Sequence, residues 1–208
     1  MSTNRLSAVF SCIEKCESFA DVGCDHGKLC KMVEQADLAR RIYACDISEK
    51  CIEKAKILLS DCKRITFLVS DGLKSVPRVQ TVAICGMGGR NVMEIISNAD
   101  YKPRYILGAQ KHVRELRLFL VQNGFKIEKD FVVEEAGKFY DVICAREGSM
   151  ELTDVQASEG VFYTQRDETR KRRALLKLKK YSGFAPTAEN LREKAYAEET
   201  LKWQSLPS

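Results

Sequence analysis

Several things are scarce or missing in the 208-residue chain. It holds no run of about 18 apolar residues, so it offers no helix able to span a bilayer. The opening stretch from Met1 to Phe10 is too polar for a signal peptide, and the expected location is the cytoplasm. There are only two histidines and no Cys-x-x-Cys pair. Cys12 and Cys16, one helical turn apart, would have to recruit His26 and His112 to hold zinc, so core packing is the simpler reading and no obligatory metal is expected. The nine cysteines are expected to be reduced thiols acting as small hydrophobes. Also missing is G-x-G-x-x-G; the first glycine turn is Gly23-x-x-x-Gly27, which argues against a pyrophosphate cradle.

What is present suits one α/β domain of about 150 residues, taken as residues 1–150, plus a small appendage over 151–208. The formal charge of +5 is unevenly spread. Between Arg166 and Lys180 lie eight basic and two acidic residues, a local excess of +6 that leaves the rest at −1. The excess belongs to the appendage. Its composition predicts two helices, over about 161–181 and 188–204, joined through Gly183 and Pro186 and capped by Thr187. Leu175 and Leu178 facing Leu191, Ala195 and Leu201 would form the seam of a helical hairpin.

In the first 150 residues, short apolar runs alternate with helical patterns. An amphipathic helix is expected over 3–17, with Leu6, Val9, Phe10 and Ile13 on one face. The run ending at Asp21-Val-Gly23-Cys24-Asp25-His26-Gly27 reads as a first strand entering a ligand-binding turn. Further strands are expected over 41–46, 65–69, 81–85 and 105–109, with helices over 28–37, from Glu49 to Leu59, 90–98 and 112–122. In the second of these helices Ile52, Ala55, Ile57, Leu58 and Leu59 make a broad apolar face. This alternation argues for a doubly wound, mostly parallel sheet. The rhythm then changes: runs over 125–134 and 139–145 are too close for a helix between them and must pair as an antiparallel hairpin.

Polar and glycine residues recur at the carboxyl ends of these strands, where open parallel sheets bind ligands. Asp21, Asp46 and Asp71 close three successive strands. An acid at position 46 suits ribose hydroxyls, and Asp71-Gly72 suits an adenine ring, although Asp-Gly is also a common turn. A sheet closed by an antiparallel hairpin is the Rossmann-like pattern of class I S-adenosylmethionine-dependent methyltransferases. That cofactor carries a sulfonium and an ammonium but no phosphate, so acidic, glycine-bearing turns fit it.

Asp21-Val-Gly-Cys-Asp-His26, Asp71-Gly-Leu73, Ile84-Cys-Gly-Met-Gly-Gly89, Gln110 and Gly137-Lys-Phe-Tyr-Asp-Val142 together resemble the bacterial tRNA (adenine(22)-N(1))-methyltransferases, the TrmK family. The likeness runs in order across about residues 5–147. It implies a class I methyltransferase domain followed by a helical, coiled-coil-like C-terminal domain, with S-adenosyl-L-methionine as cofactor and tRNA as partner. By position it implies that Asp21, Gly23 and Cys24 hold the methionine end of the cofactor, Asp46 and Ile47 the ribose, and Asp71 and Gly72 the adenine, with Cys85 and Gly86 alongside. Met87, Gly88, Gly89 and Gln110 would border the target base. Asp25 and His26 would stand between cofactor and substrate as the catalytic pair. Two departures are visible: the family commonly has Gln-Pro-Asn where this chain reads Gln110-Lys111-His112, and Asp46 stands where some relatives have glutamate.

Adenine N(1) has an in-plane lone pair and can attack the methyl group in line, so positioning should dominate the rate. Arg170, Arg172, Arg173 and Lys177 are expected to hold the RNA backbone. A monomer is expected. Two other readings stay open: a methyltransferase acting on another RNA or on a small molecule, and a silent RNA-binding module that retains the cofactor fold.

Overall fold

The computed structural model describes residues 5–205. Its centre is a seven-stranded sheet in the order β3-β2-β1-β4-β5-β7-β6. The strands are β1 (Cys16–Val22), β2 (Ala39–Asp46), β3 (Ile65–Val69), β4 (Thr81–Met87), β5 (Arg104–Ala109), β6 (Phe125–Glu135) and β7 (Lys138–Glu147). The first five are parallel, and β7 pairs antiparallel with both β5 and β6. The strand order reverses between β1 and β4, which opens a crevice at their carboxyl ends. The β6–β7 hairpin turns on Ala136 (φ 51°) and Gly137 (φ 73°), two successive left-handed residues whose twist matches the paired strands.

Alternation along the strands divides the core in two. One face carries Phe19, Ile42, Ala83 and Ile106 against α1 (Arg5–Phe10), α2 (Lys28–Gln35) and α3 (Glu49–Leu58). The other carries Val22, Val82, Ile84 and Leu107 against α4 (Gly89–Ser97) and α5 (Val113–Gln122). Ser48 caps α3, its side chain accepting from Cys51 N–H. All nine cysteines are free thiols, five of them buried.

The structure corrects several expectations. The helix expected over 3–17 ends at Phe10, and its residues 3 and 4 lie outside the described residues. The Cys12 carbonyl is taken by Arg104 Nη1 at 2.9 Å, and β1 begins four residues later. In α3, Ile57 and Leu58 face solvent, leaving Ile52, Ala55 and Leu59 to pack inward. The first appended helix starts at Glu168, not near 161, giving α7 (Glu168–Ser182) and α8 (Ala188–Gln204). A short helix, α6 (Asp154–Glu159), precedes them, opened by a capping box between Thr153 and Gln156. The expected seam is also not formed as a leucine row: Leu175, Leu191 and Ala195 are exposed, and the buried residues of α7 and α8 include Ala174, Ala197 and Thr200.

The appendage is tied to the sheet by buried charge. Arg117 of α5 donates from Nε and Nη2 to the two carboxylate oxygens of Asp130 at 2.8 and 2.9 Å, and from Nη2 to Asp141 at 2.6 Å. Arg173 of α7 donates to Asp141, and Arg170 donates from Nη2 to the Asp130 carbonyl at 3.0 Å. Lys177 pairs with Glu159 and, at 2.9 Å, with Glu193. Removing one partner of such a buried set leaves an uncompensated charge, at a cost of about 3–5 kcal/mol.

Candidate active site

The glycine turn after β1 is fixed by β2: Gly23 N–H and Cys24 N–H both donate to the Cys45 carbonyl, at 2.8 and 2.9 Å. Gly23 has φ 77°, and a Cβ there would lie 2.3 Å from Met87 Cε. The positive φ is what favours glycine here, and any Cβ would also have to push aside the flexible end of the Met87 thioether, which lies across the turn. Asp25 is also left-handed (φ 49°); its N–H donates to Asp46 Oδ2 at 3.2 Å, and its own Oδ2 lies 2.6 Å from His26 Nδ1. Asp46 Oδ1 accepts from Ser48 N–H at 2.9 Å. Main-chain bonds thus orient the second-strand acid while both oxygens keep further lone pairs.

Three adjoining cavities run along the strand ends. The largest, about 570 Å³, is bounded by Asp21, Gly23, Cys24, Asp25, His26, Asp46, Cys85, Gly86 and Met87. A second, about 300 Å³, shares Gly23, Asp46 and Met87 with it and adds Ile47, Asp71 and Gly72. A third, about 250 Å³, shares Gly86 and Met87 with the first and adds Gly88 and Gln110. Met87 borders all three. The β-bulge between Cys85 and Met87, with Gly86 at φ 78°, carries the chain through this junction.

Burial raises the Asp21 carboxyl from its usual 3.8 to about 7, with the nearby Asp46 charge adding to the rise. Among the described residues its carboxylate meets only a thiol, Cys30 Sγ at 3.9 Å. Burial likewise pushes the Cys85 thiol up to about 12, and raises Cys24 further still with help from Asp21 and Asp46. Both thiols are therefore protonated lining groups at neutral pH. Asp71 is exposed and pairs with Lys74 at 2.5 Å. Among the described residues no group of three or more His, Cys, Asp or Glu is placed to hold a metal ion, and no helix is long and apolar enough to cross a membrane.

Most residues singled out in the sequence thus border one continuous groove. Gly89 does not. It opens α4 with its N–H bonded to the Lys111 carbonyl at 2.9 Å, and a Cβ there would lie 2.6 Å from the His112 carbonyl oxygen. Close backbone approach explains this glycine. The expectation of a phosphate-facing Arg170, Arg173 and Lys177 is also not met, because all three turn inward to the buried carboxylates and to main-chain carbonyls. Of that group only Arg172 is solvent-facing, in a 3.3 Å pair with Glu134. Sequence reasoning missed Arg5, Glu135 and Tyr140, which reach the groove from α1 and the hairpin. Tyr140 stands within the Gly-Lys-Phe-Tyr-Asp-Val motif, which was a visible signal without an assigned role.

An open sheet with a terminal antiparallel hairpin and an acidic, glycine-lined groove at its switch point defines a Rossmann-like class I methyltransferase domain. A family profile described as "Methyltransferase domain" matches residues 2–143. A Mycoplasma pneumoniae protein named "Putative tRNA methyltransferase" is 32% identical over 146 residues, covering 67% of this chain and 68% of that protein. The tRNA (adenine(22)-N(1))-methyltransferase of Bacillus subtilis is 26% identical over 155 residues, covering 70% of this chain and 65% of that one. In three dimensions the chain resembles Streptococcus pneumoniae Sp1610, solved in complex with S-adenosyl-L-methionine: TM-score 0.88 at 23% identity, covering 97% of this chain and 100% of that one. The chain belongs to the methyltransferase-domain family.

Proposed function

We propose that the protein transfers a methyl group from S-adenosyl-L-methionine to N(1) of an adenine in tRNA, at position 22. The observation that carries this reading is the junction at Gly86 and Met87, where an acidic groove of cofactor size meets a separate small cavity. A transferase needs two ligands in contact across one wall.

The residues fit the cofactor. Asp21 is a buried carboxylate in want of a cationic partner, which the cofactor's ammonium provides. Asp46, with Ile47 at its edge, would take the ribose hydroxyls; Asp71 and Gly72 would take the adenine; Cys24 and Cys85 line the walls. When bound, S-adenosylmethionine supplies an electrophilic methyl group. Asp25, held between the Asp46 carboxylate and His26, places negative charge near the base on which positive charge develops. His26 orients Asp25 as its hydrogen-bond partner. Met87, Gly88 and Gln110 border the base cavity, with Met87 supplying an adaptable apolar contact.

The tRNA body would be held by the solvent-facing cations of α7, Arg172, Lys179 and Lys180. Residues 151–208 act in this reading as an RNA-contacting helical unit fixed to the sheet. One chain completes both groove and cavity, which supports a monomer as the acting unit, working in the cytoplasm. The test is methylation of unmodified tRNA with labelled cofactor and mapping of the product. 1-methyladenosine at position 22 is expected, and any other modified nucleoside would overturn the assignment.

A further inference from the structure

The N-terminal helix and the hairpin meet over the smallest of the three cavities. Arg5 lays its guanidinium on the Tyr140 ring, with Cζ 4.7 Å from the ring centroid. The Arg5 main-chain N–H donates to Glu135 Oε1 at 3.3 Å, so helix and hairpin are also linked by a hydrogen bond. Arg5 and Tyr140 both line the cavity that contains Gly86, Gly88 and Gln110, and Arg5 also borders the large groove. The strand that carries Tyr140 is well anchored. Tyr140 pairs with Val133 in the hairpin, and the next residue, Asp141, is gripped by Arg117 and Arg173.

We propose that the Tyr140 ring is the platform on which the target adenine stacks, and that Arg5 holds this face until the base displaces it. The inference rests on the reading of the protein as an adenine N(1)-methyltransferase. In that reaction the N(1) lone pair forms the new bond to the methyl carbon, the carbon–sulfur bond breaks, and its electron pair returns to sulfur. Positive charge thereby moves from the sulfonium to the purine, where it spreads over a planar amidinium-like system. Arg5 already shows that this ring face accepts a planar, delocalised cation. An aromatic face attracts a cation more strongly than a neutral ring, so the interaction tightens as the methyl group moves. The guanidinium is a stand-in for the charged product, and its exchange for the base would free Arg5 for a phosphate of the RNA.

The test uses the full chain, with single-turnover methylation of unmodified tRNA beside calorimetry with S-adenosylmethionine and titration with adenosine and 1-methyladenosine. Tyr140→Phe should keep the single-turnover rate within about threefold, whereas Tyr140→Leu should lose about 10- to 100-fold in that rate with cofactor affinity unchanged. Wild type should bind cationic 1-methyladenosine about tenfold better than adenosine, and Tyr140→Leu should lose the preference. Arg5→Ala should raise 1-methyladenosine affinity by emptying the platform. Full turnover in Tyr140→Leu, or a tenfold weaker nucleoside in Arg5→Ala, would overturn the exchange. If the wild type methylates no tRNA, the functional reading fails, while the nucleoside titrations still decide whether Tyr140 is a cation-preferring platform. Should Tyr140→Leu not fold, Tyr140→Phe and Arg5→Ala decide it.

Discussion

Arg173 Nη1 lies 2.8 and 3.0 Å from the two carboxylate oxygens of Asp141, joining the appended helix α7 to strand β7 through a buried charge pair. Burial pushes the Asp141 carboxyl upward, but the guanidinium groups of Arg173 and Arg117 outweigh it and hold the group at about 2, against a usual 3.8. The folded value is depressed, so the stability it contributes is present above about pH 4 and is lost as the pH falls toward 2. Asp141→Asn should cost about 3–5 kcal/mol in urea unfolding at pH 7, with early amide exchange in α7. An unchanged unfolding midpoint would show that the network contributes nothing net.

Asp21 has the opposite sign. Its carboxyl is raised to about 7, so its contribution to stability is present below about pH 4 and is lost as the pH rises to about 7. Asp21→Asn should therefore melt higher than wild type at pH 8 without cofactor, by roughly 2–4 °C per kcal/mol relieved. Cofactor affinity should move the other way. Calorimetry should show wild-type affinity for S-adenosylmethionine falling below pH 7, as the carboxylate is protonated, and a weaker, flatter profile in Asp21→Asn. A wild-type profile that is flat from pH 6 to 8 would remove Asp21 from the ammonium site.

Asp25 is held by a main-chain bond to Asp46 and a side-chain bond to His26, on a left-handed residue where Asn is also tolerated. Asp25→Asn should keep the fold and bind cofactor within about threefold, yet lose at least about tenfold in single-turnover rate. Near-normal turnover would take Asp25 out of the chemistry.

The inward turn of Arg170, Arg173 and Lys177 alters which cations are worth removing. Replacing Arg172, Lys179 and Lys180 together by glutamine should weaken tRNA binding and lower the slope of log K against log salt by about one for each phosphate no longer neutralised. The surface pair of Arg172 with Glu134 costs little to break, so the fold should stay intact. An unchanged slope would place the RNA on another face. Arg170→Ala, by contrast, should destabilise the fold without this salt signature.

The sequence alone determined the alternating strands and helices, the closing hairpin, and the three acids at strand ends. Period-two and helical patterns report which face of an element is buried, and Gly23, Gly27, Gly72 and Gly137 mark turns that need positive φ. Such signals are local, and so they survive in one dimension. The tertiary structure decided what depends on partners far apart in the chain. Gly89 looked like part of a base-contacting loop until the backbone at 111–112 was seen against it. Arg170, Arg173 and Lys177 read as an RNA-holding basic face because their partners, Asp130, Asp141, Glu159 and Glu193, are scattered over other elements. Charge in a sequence carries sign but not address. The groove itself followed the same division: its floor of acids and glycines was legible, whereas the wall made by Arg5, Glu135 and Tyr140 exists only because the hairpin folds back beside the first helix.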